Sequence, residues 1–467
     1  MCYNGLNTIV IVEEDMNLKE AYEELELNYY SDKKLSLTDI EEVYRNLVKK
    51  YHPDKNSGLP EYIKKLAEEK FKKINEAMIV VREELKNVGN NNTYIPKTDE
   101  TKLEYYEKSN DPNLISYFRK NADLGYAEAQ FYLGLRYYEG RGVDQDYREA
   151  FKLFKKSAEQ GYVKAQHYLG VCYGYGRGVA QNYIEAARWY KKAADQGHAG
   201  AQNNLGLCYE YGRGVAQDYT EAVRWYRKSA EQGYEWGQNN LGICYKNGKG
   251  VIQDYIEAVR WYRKAADQGH AGAQNSLGVC YEYGRGVAQD YTEAVRWYRK
   301  SAEQGYEWAQ CNLAKCYENG QGVNQDYFEA ARWYRKSADQ EHARAQNNLG
   351  LCYEYGRGVA QDYYEAVRWY KKSAEQGYKW AQCNLAWCYE NGQGINQDYF
   401  EAVRWYRKSA DQEHARAQNN LGLCYEYGKG VEKDYAQAAY WYVKAIENGQ
   451  ERAREDLTVL LNEKLKK

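Results

Sequence analysis

A spacing of 36 residues between identical side chains constrains the fold of this chain more than any other feature of its sequence. Cysteine recurs at that interval as Cys172, Cys208, Cys244, Cys280, Cys316, Cys352, Cys388 and Cys424. Tryptophan does the same as Trp189, Trp225, Trp261, Trp297, Trp333, Trp369, Trp405 and Trp441. A fixed period of this length is typical of a repeat array in which each unit contacts its neighbours, so the 467 residues do not translate into a number of ordinary domains.

Each unit is predicted to form two helices. Ala201, Leu205 and Cys208 have the spacing of one helical face, and a second such face begins at Tyr219. Between them, Gly212-Arg213-Gly214 predicts a left-handed helix end followed by a turn. One helical hairpin cannot bury both of its faces, so the hairpins must stack. The sequence therefore predicts an all-α fold in which an α-solenoid of about nine helix-turn-helix repeats occupies residues 127–450.

The repeated pattern also resembles a known family. It reads A-x-A-Q-x-x-L-G-x-x-Y-x-x-G-x-G-V, followed by A-x-x-W-Y-x-K-A-A-x-Q-G, and it resembles the Sel-one-like repeat, a relative of the tetratricopeptide repeat. The resemblance implies an array that binds other proteins and has no chemistry of its own. A second, weaker period of 72 residues is also present, because units preceded by histidine alternate with units preceded by tyrosine.

A His-Pro-Asp tripeptide in the segment KYHPDKN (residues 50–56) stands ahead of the repeats and does not recur. The preceding segment has a helical apolar face, with Arg45, Lys49 and His52 close together on the opposite face. The following segment, residues 63–85, keeps apolar residues three or four apart. The pattern predicts an antiparallel helical hairpin with the tripeptide at its tip and a basic stripe beside it.

This hairpin resembles a J domain, the module by which co-chaperones engage 70-kilodalton heat-shock chaperones of the DnaK type. The resemblance implies that the tripeptide and the basic helix dock on the ATPase domain of such a chaperone and stimulate ATP hydrolysis. On this chain, those roles would fall to His52, Pro53, Asp54, Arg45, Lys49 and Lys50. The Gly/Phe-rich segment and zinc-binding domain of many J proteins are not recognisable, so client selection is assigned to the repeats.

Composition excludes several other classes of function. The chain has 65 basic and 67 acidic residues, and this net charge of −2 provides no general attraction for nucleic acid or acidic membranes. No apolar run reaches the ~18 residues of a membrane helix, and we expect a cytoplasmic protein. The G-x-G turns follow no strand and recur in every unit, which favours a turn over a phosphate site. We expect no cofactor and no enzymatic activity.

The recurring cysteines are predicted to be buried thiols. Disulfide bridges and metal sites are the alternatives. Equivalent helices of stacked repeats lie ~8–10 Å apart, beyond the ~7 Å limit for a disulfide between their backbones. Cys311 and Cys316 are five residues apart on a predicted helix, which is not the spacing of a CxxC metal site. We therefore expect no metal ligands among them.

The predicted division of the chain has six parts. It consists of a first segment (1–16), a J domain (17–88), a linker (89–100), N-terminal capping helices (101–126), the repeats (127–450) and a C-terminal capping helix (451–467).

A candidate client surface is predicted at the second position of the A-x-A-Q signature. This position varies from glycine to tryptophan along the array, which is difficult for a packed core site, so we expect it to face solvent. The candidate client-binding residues there are Trp236, Trp308, Trp380, Arg344 and Arg416. Tryptophan and arginine are enriched in binding hot spots. Alternatively, each tryptophan only covers the seam to the tyrosine that precedes its helix.

Two functions fit these patterns. In the first, the chain is a co-chaperone whose J domain brings a DnaK-type ATPase to a protein client or complex bound by the repeats. In the second, it is a solenoid scaffold with a vestigial J-like head. The sequence leaves both open.

Overall fold

The computed structural model describes residues 112–463 and, ahead of them, eleven helical positions at 43, 46, 47, 50, 65, 68, 70, 72, 73, 74 and 77. All regular secondary structure within residues 112–463 is helical, which confirms the all-α prediction. The helices of this range are α1 (Pro112–Asp123), α2 (Ala127–Glu139), α3 (Tyr147–Glu159), α4 (Val163–Tyr175), α5 (Tyr183–Asp195), α6 (Ala199–Tyr211), α7 (Tyr219–Glu231), α8 (Glu235–Asn247), α9 (Tyr255–Asp267), α10 (Ala271–Tyr283), α11 (Tyr291–Glu303), α12 (Glu307–Asn319), α13 (Tyr327–Asp339), α14 (Ala343–Tyr355), α15 (Tyr363–Glu375), α16 (Lys379–Asn391), α17 (Tyr399–Ala410), α18 (Ala415–Tyr427), α19 (Tyr435–Glu447) and α20 (Arg452–Glu463).

From α2 to α19, each repeat supplies an even-numbered A helix and an odd-numbered B helix. The described residues fall into two compact units, the first with helices α1–α5 and the second with helices α6–α20. Within each unit, every helix packs against the next one along the chain. This is the neighbour-to-neighbour packing of an α-solenoid.

The two helices of a repeat begin and end at residues that satisfy their free backbone groups. The B helix α15 follows Asp362, whose carboxylate accepts hydrogen bonds from the backbone N–H groups of Tyr364 and Glu365. The A helix α14 ends at Gly356, which has a left-handed φ of 65°. Its N–H group donates to the carbonyl of Cys352, as a left-handed cap requires.

The second glycine of the G-x-G turn has a different task. The carbonyl oxygen of Tyr363, at the start of the preceding B helix, lies 2.1 Å from where a Cβ on Gly394 would stand. Gly394 also has a φ of +69°. Only glycine combines this conformation with this approach, so the turn of one repeat lies directly on the backbone of the repeat before it.

The glutamine of the A-x-A-Q signature links successive helices inside the stack. Gln382 is buried, and its amide donates to the carbonyl of Ala374 in the preceding B helix at 3.2 Å. Its Oε1 accepts from Nε2 of Gln412, after its own B helix, at 2.9 Å. One side chain therefore connects both neighbouring B helices, which explains why the repeat requires an amide at this position.

The residues expected in the core are buried. Trp225 and Tyr226 fill the space between helices, and a Cβ on Gly206 would lie 2.6 Å from the Tyr226 ring, so this glycine does allow close approach. Repeats 6 and 8 accommodate alanine at the equivalent positions, Ala314 and Ala386. The ten cysteines of the described residues are buried free thiols. Burial raises the pKa of Cys172 and its equivalents, to about 12 in most of them.

Candidate functional site

Most of the predicted chaperone-docking residues lie outside the described residues. These are His52, Pro53, Asp54, Arg45 and Lys49. Lys50 is described, and it lies exposed on a helix. Leu47 and Ile74 are buried, as expected of the apolar faces of the two helices that flank the tripeptide.

The three predicted tryptophans have the same surroundings in three different repeats. Trp236, Trp308 and Trp380 each keep about half of their surface exposed, at 52%, 49% and 51%. Each ring meets edge-on the histidine that precedes the next A helix. For Trp308 and His342 the ring centroids are 4.4 Å apart. The ring contact is thus with the histidine at the end of the same 36-residue repeat, whereas the packing alternative assigns it to the tyrosine that precedes the helix.

These histidines stand directly before A helices. His270 and His342 cap the helices through Nδ1, whereas His414 makes no cap bond and its Nδ1 lies 3.1 Å from Oγ of Ser409. His342 lies before α14, and its Nδ1 accepts a hydrogen bond from the backbone N–H of Ala345 at 3.3 Å. Burial, together with the nearby charge of Arg344, lowers the pKa of His342 to about 4. Burial lowers the pKa of His414 to about 4 as well, with Lys379 and Arg416 adding to the effect. At neutral pH each tryptophan therefore rests on an uncharged ring.

The two predicted arginines have different surroundings. Arg344 is half-buried and reaches back to the preceding repeat, where it donates to Oδ1 of Asn312 at 2.5 Å and to Sγ of Cys311 at 3.3 Å. Arg416 is exposed. The expectation that this position faces solvent does not hold throughout, because Gly200 is buried there.

A row of asparagine amides lies beside these residues on the A helices. Asn240, Asn312 and Asn384 are half-buried, and each donates from Nδ2 to an asparagine of the preceding repeat at 2.9–3.0 Å. Sequence reasoning did not find this row. The available signal was the recurrence of asparagine at the sixth position of the A helix, which it occupies in six of the nine repeats.

Two further residues of this surface were not predicted. Lys379 begins α16, where repeats 4 and 6 have Glu235 and Glu307. Trp387 is half-buried two helical turns beyond Trp380 on the same helix. Both residues depart from the pattern of the other repeats, and that departure is the signal that could have found them.

Other kinds of site find no support in the described part of the chain. No group of histidine, cysteine and acidic side chains there is arranged to hold a metal ion. None of the described helices is both long and apolar enough to cross a membrane.

Comparison with known families identifies both parts of the chain. Nine segments match the Sel1 repeat, at residues 127–162, 163–198, 199–234, 237–270, 271–306, 309–342, 343–378, 381–414 and 415–450. Residues 20–87 match the DnaJ domain. These matches confirm the J-domain and Sel-one-like resemblances.

Two curated relatives match a limited part of the chain. The Chaperone protein DnaJ of Mesomycoplasma hyopneumoniae (strain 232) is 49% identical over 55 residues, 12% of this chain and 15% of that protein. The DnaJ homolog subfamily C member 7 homolog of Dictyostelium discoideum is 42% identical over 117 residues, 23% of this chain and 18% of that protein. The chain thus spans less than a fifth of the length of these relatives.

Solved structures match the repeats. The chain is 38% identical to c5321, a protective antigen of uropathogenic Escherichia coli strains with an SLR fold, with a TM-score of 0.53 over 74% of this chain and 82% of that one. It is 32% identical to a Sel1 repeat protein from Oxalobacter formigenes, with a TM-score of 0.50 over 66% and 89% of the two chains. The chain belongs to the Sel1 repeat family, and its nine repeats follow a DnaJ domain.

Proposed function

We propose that this protein is a co-chaperone that stimulates the ATPase of a DnaK-type 70-kilodalton chaperone and brings it to a protein client or complex held by the repeats. The observation that carries the proposal is the DnaJ domain match at residues 20–87, which contains the His-Pro-Asp tripeptide and precedes nine Sel1 repeats. One part would supply the chaperone contact, and the other would supply the client contact.

The described repeats support the second half of this division of labour. Their A helices present tryptophans that are half-exposed, although tryptophan is a residue that a folded core would normally cover. The same face carries cations and side-chain amides. Aromatic rings, arginine and amides together are typical of protein-binding surfaces.

The first test measures ATP turnover by a DnaK-type chaperone with the full chain added. We expect stimulation by the wild-type chain and its loss in His52→Gln, because the tripeptide is assigned to the docking contact. Arg404→Ala is the matched control. It changes an exposed B-helix side chain that pairs with Glu401 and lies far along the sequence from the tripeptide. A wild-type chain that stimulates none of several chaperones would favour the scaffold function.

The second test addresses the client contact. Trp308→Ala should weaken binding of a client recovered with the full chain by ~1–3 kcal/mol while it changes the free energy of unfolding by less than ~1 kcal/mol. Phe328→Ala is the matched control, because Phe328 is an exposed aromatic residue on the B helix of the same repeat. A large drop in melting temperature with unchanged client binding would assign Trp308 to packing.

A further inference from the structure

Repeats 7–9 differ from repeats 3–6 on the face of their A helices. At the second position of the signature, repeats 3 and 5 have Gly200 and Gly272, whereas repeats 7 and 9 have Arg344 and Arg416. At the first position of the intervening repeat, Lys379 stands where repeats 4 and 6 have glutamate. Three positive charges are thus added, and one negative charge is removed, within one stretch of a chain that is otherwise close to neutral.

None of these three cations has an ion-pair partner in the described part of the chain. Arg344 donates to Asn312 and Cys311, and Lys379 donates to the backbone carbonyl of Gln412 at 3.2 Å. The arginines of the B helices behave differently. Arg332, Arg368 and Arg404 each pair with the glutamate three residues before them, at 2.8–3.1 Å. The acids nearest to them along the sequence also form no ion pair with the three cations. They are Glu341 and Glu413, each three residues before an arginine, and Glu375, four residues before Lys379, and all three are exposed.

Aromatic and amide groups lie among these cations. Trp380 is half-exposed, and Trp387 lies about 10 Å further along the same helix on the same side. Asn420, one repeat later, is half-buried and makes no hydrogen bond to a described residue. A side-chain amide carries one acceptor and a donor group, as a peptide group does, so it can pair with an extended backbone. We call these residues the basic–aromatic face: Arg344, Lys379, Arg416, Trp380, Trp387 and Asn420.

We propose that the basic–aromatic face of repeats 7–9 binds an extended polypeptide segment in which carboxylates flank an aromatic or large apolar side chain. The proposal rests on the proposed function, because this segment would belong to the client. The unpaired cations fit the carboxylates, the tryptophans fit the apolar side chain, and the free amide fits the backbone. Adjacent helices lie ~8–10 Å apart and an extended chain advances ~3.3 Å per residue, so a segment of about six to eight residues crosses the face.

The probe is a fluorescein-labelled peptide of about twelve residues in which Asp and Glu flank a central Phe in a Gly/Ser background. Two control peptides are used. One carries Lys and Arg in place of the acidic residues, and the other carries Ser in place of Phe. The full chain is compared with the triple variant Arg344→Gly, Lys379→Glu and Arg416→Gly by fluorescence anisotropy. These substitutions restore residues that repeats 3–6 already carry at the same positions, so the variant keeps a sequence that this fold accepts.

We expect the acidic peptide to bind the wild-type chain and to lose at least about tenfold in affinity with the triple variant. Arg404→Ala removes a positive charge from the same part of the chain but from a B helix, and it should leave binding within about twofold. Added salt should weaken binding, because the charges are partly exposed. The Ser peptide should bind more weakly than the Phe peptide.

The proposal is overturned if the basic peptide binds as tightly as the acidic one, if the triple variant binds unchanged, or if none of the peptides binds. It is also overturned if a single-stranded oligonucleotide of equal charge binds the wild-type chain as tightly as the acidic peptide does and loses the same affinity in the triple variant. The face would then bind polyanions in general. The ATP-turnover assay tests the co-chaperone function separately from peptide binding. Peptide binding without any ATPase stimulation would retain the face and remove the co-chaperone role.

Discussion

Replacing Gly394 by alanine tests how closely neighbouring repeats contact each other through their turns. The new Cβ would stand 2.1 Å from the carbonyl oxygen of Tyr363 and 2.3 Å from its carbon. Both are backbone atoms, so no side-chain rotation can relieve the overlap, and the turn must move away by about 1 Å. The φ of +69° adds a left-handed cost of ~1–2 kcal/mol for a residue with a Cβ.

Together these effects should destabilise the seam between repeats 7 and 8 by about 3–5 kcal/mol. Gly350→Ala is the matched control. Its Cβ would lie 2.6 Å from the Tyr370 ring, and repeats 6 and 8 carry Ala314 and Ala386 at the equivalent positions, so the fold accepts a Cβ there. Alanine also favours the helix by ~1 kcal/mol over glycine, so the control should change stability by less than ~1 kcal/mol.

The measurement is amide hydrogen exchange resolved by repeat, because unfolding of a repeat array is not all-or-none and a single midpoint would mix the repeats. We expect faster exchange in α15–α17 of Gly394→Ala and little change in Gly350→Ala. Equal effects of the two substitutions, or a loss below ~1 kcal/mol for Gly394→Ala, would refute the contact between turn and backbone as the reason for the second glycine.

Two further predictions concern titration and reactivity. The pKa values of His342 and His414 in the folded chain lie near 4, below the usual 6.5. Their contribution to the free energy of unfolding should therefore be complete above pH 6.5 and disappear as the pH falls through 4. The loss should be roughly 3 kcal/mol for each histidine. Denaturation of the wild-type chain and of His342→Tyr with His414→Tyr, the residue of the alternate repeats, at pH 7 and 4.5 checks this; equal pH dependence of the two proteins would contradict it. The ten buried cysteines should react slowly with a thiol reagent at pH 8 in the native state, and all eleven cysteines of the chain should react after denaturation. Rapid labelling of the ten in the native state would mean that the helical faces are misassigned.

Residues that repeat with the helical period were predictable, and contacts between residues more than thirty positions apart were not. Trp225, Tyr226 and the cysteine series are buried because they lie on faces that periodicity alone defines. The partner of Trp308 was missed, since a position off the apolar stripe indicates exposure but does not indicate which neighbour the ring meets. For the same reason, nothing in the sequence paired Arg344 with Asn312, 32 residues earlier.

The second glycine of each turn was predictable in part. The sequence indicated a turn at Gly394, but the approach to the Tyr363 carbonyl depends on how closely two repeats stack, which composition and spacing do not determine. The role of Gln382 was hidden similarly, because its two partners lie eight residues before it and thirty residues after it. The chaperone-docking residues are assigned from the sequence alone, and only Lys50 among them lies at a described position.

The tryptophan–histidine contacts have a consequence for how such an array can change in length. Trp236, Trp308 and Trp380 each meet the histidine that ends their own 36-residue repeat, so both partners of each contact belong to one repeat. Removal or duplication of one whole repeat, with the cut directly before an A helix, would keep every tryptophan with its histidine. A cut inside an A helix, after the tryptophan, would bring it to the tyrosine that ends the alternate repeats, and only a change of 72 residues would then keep the pairs. An engineered array should therefore be shortened or extended by single repeats when the cut lies at the start of an A helix, and by two repeats when it lies inside one.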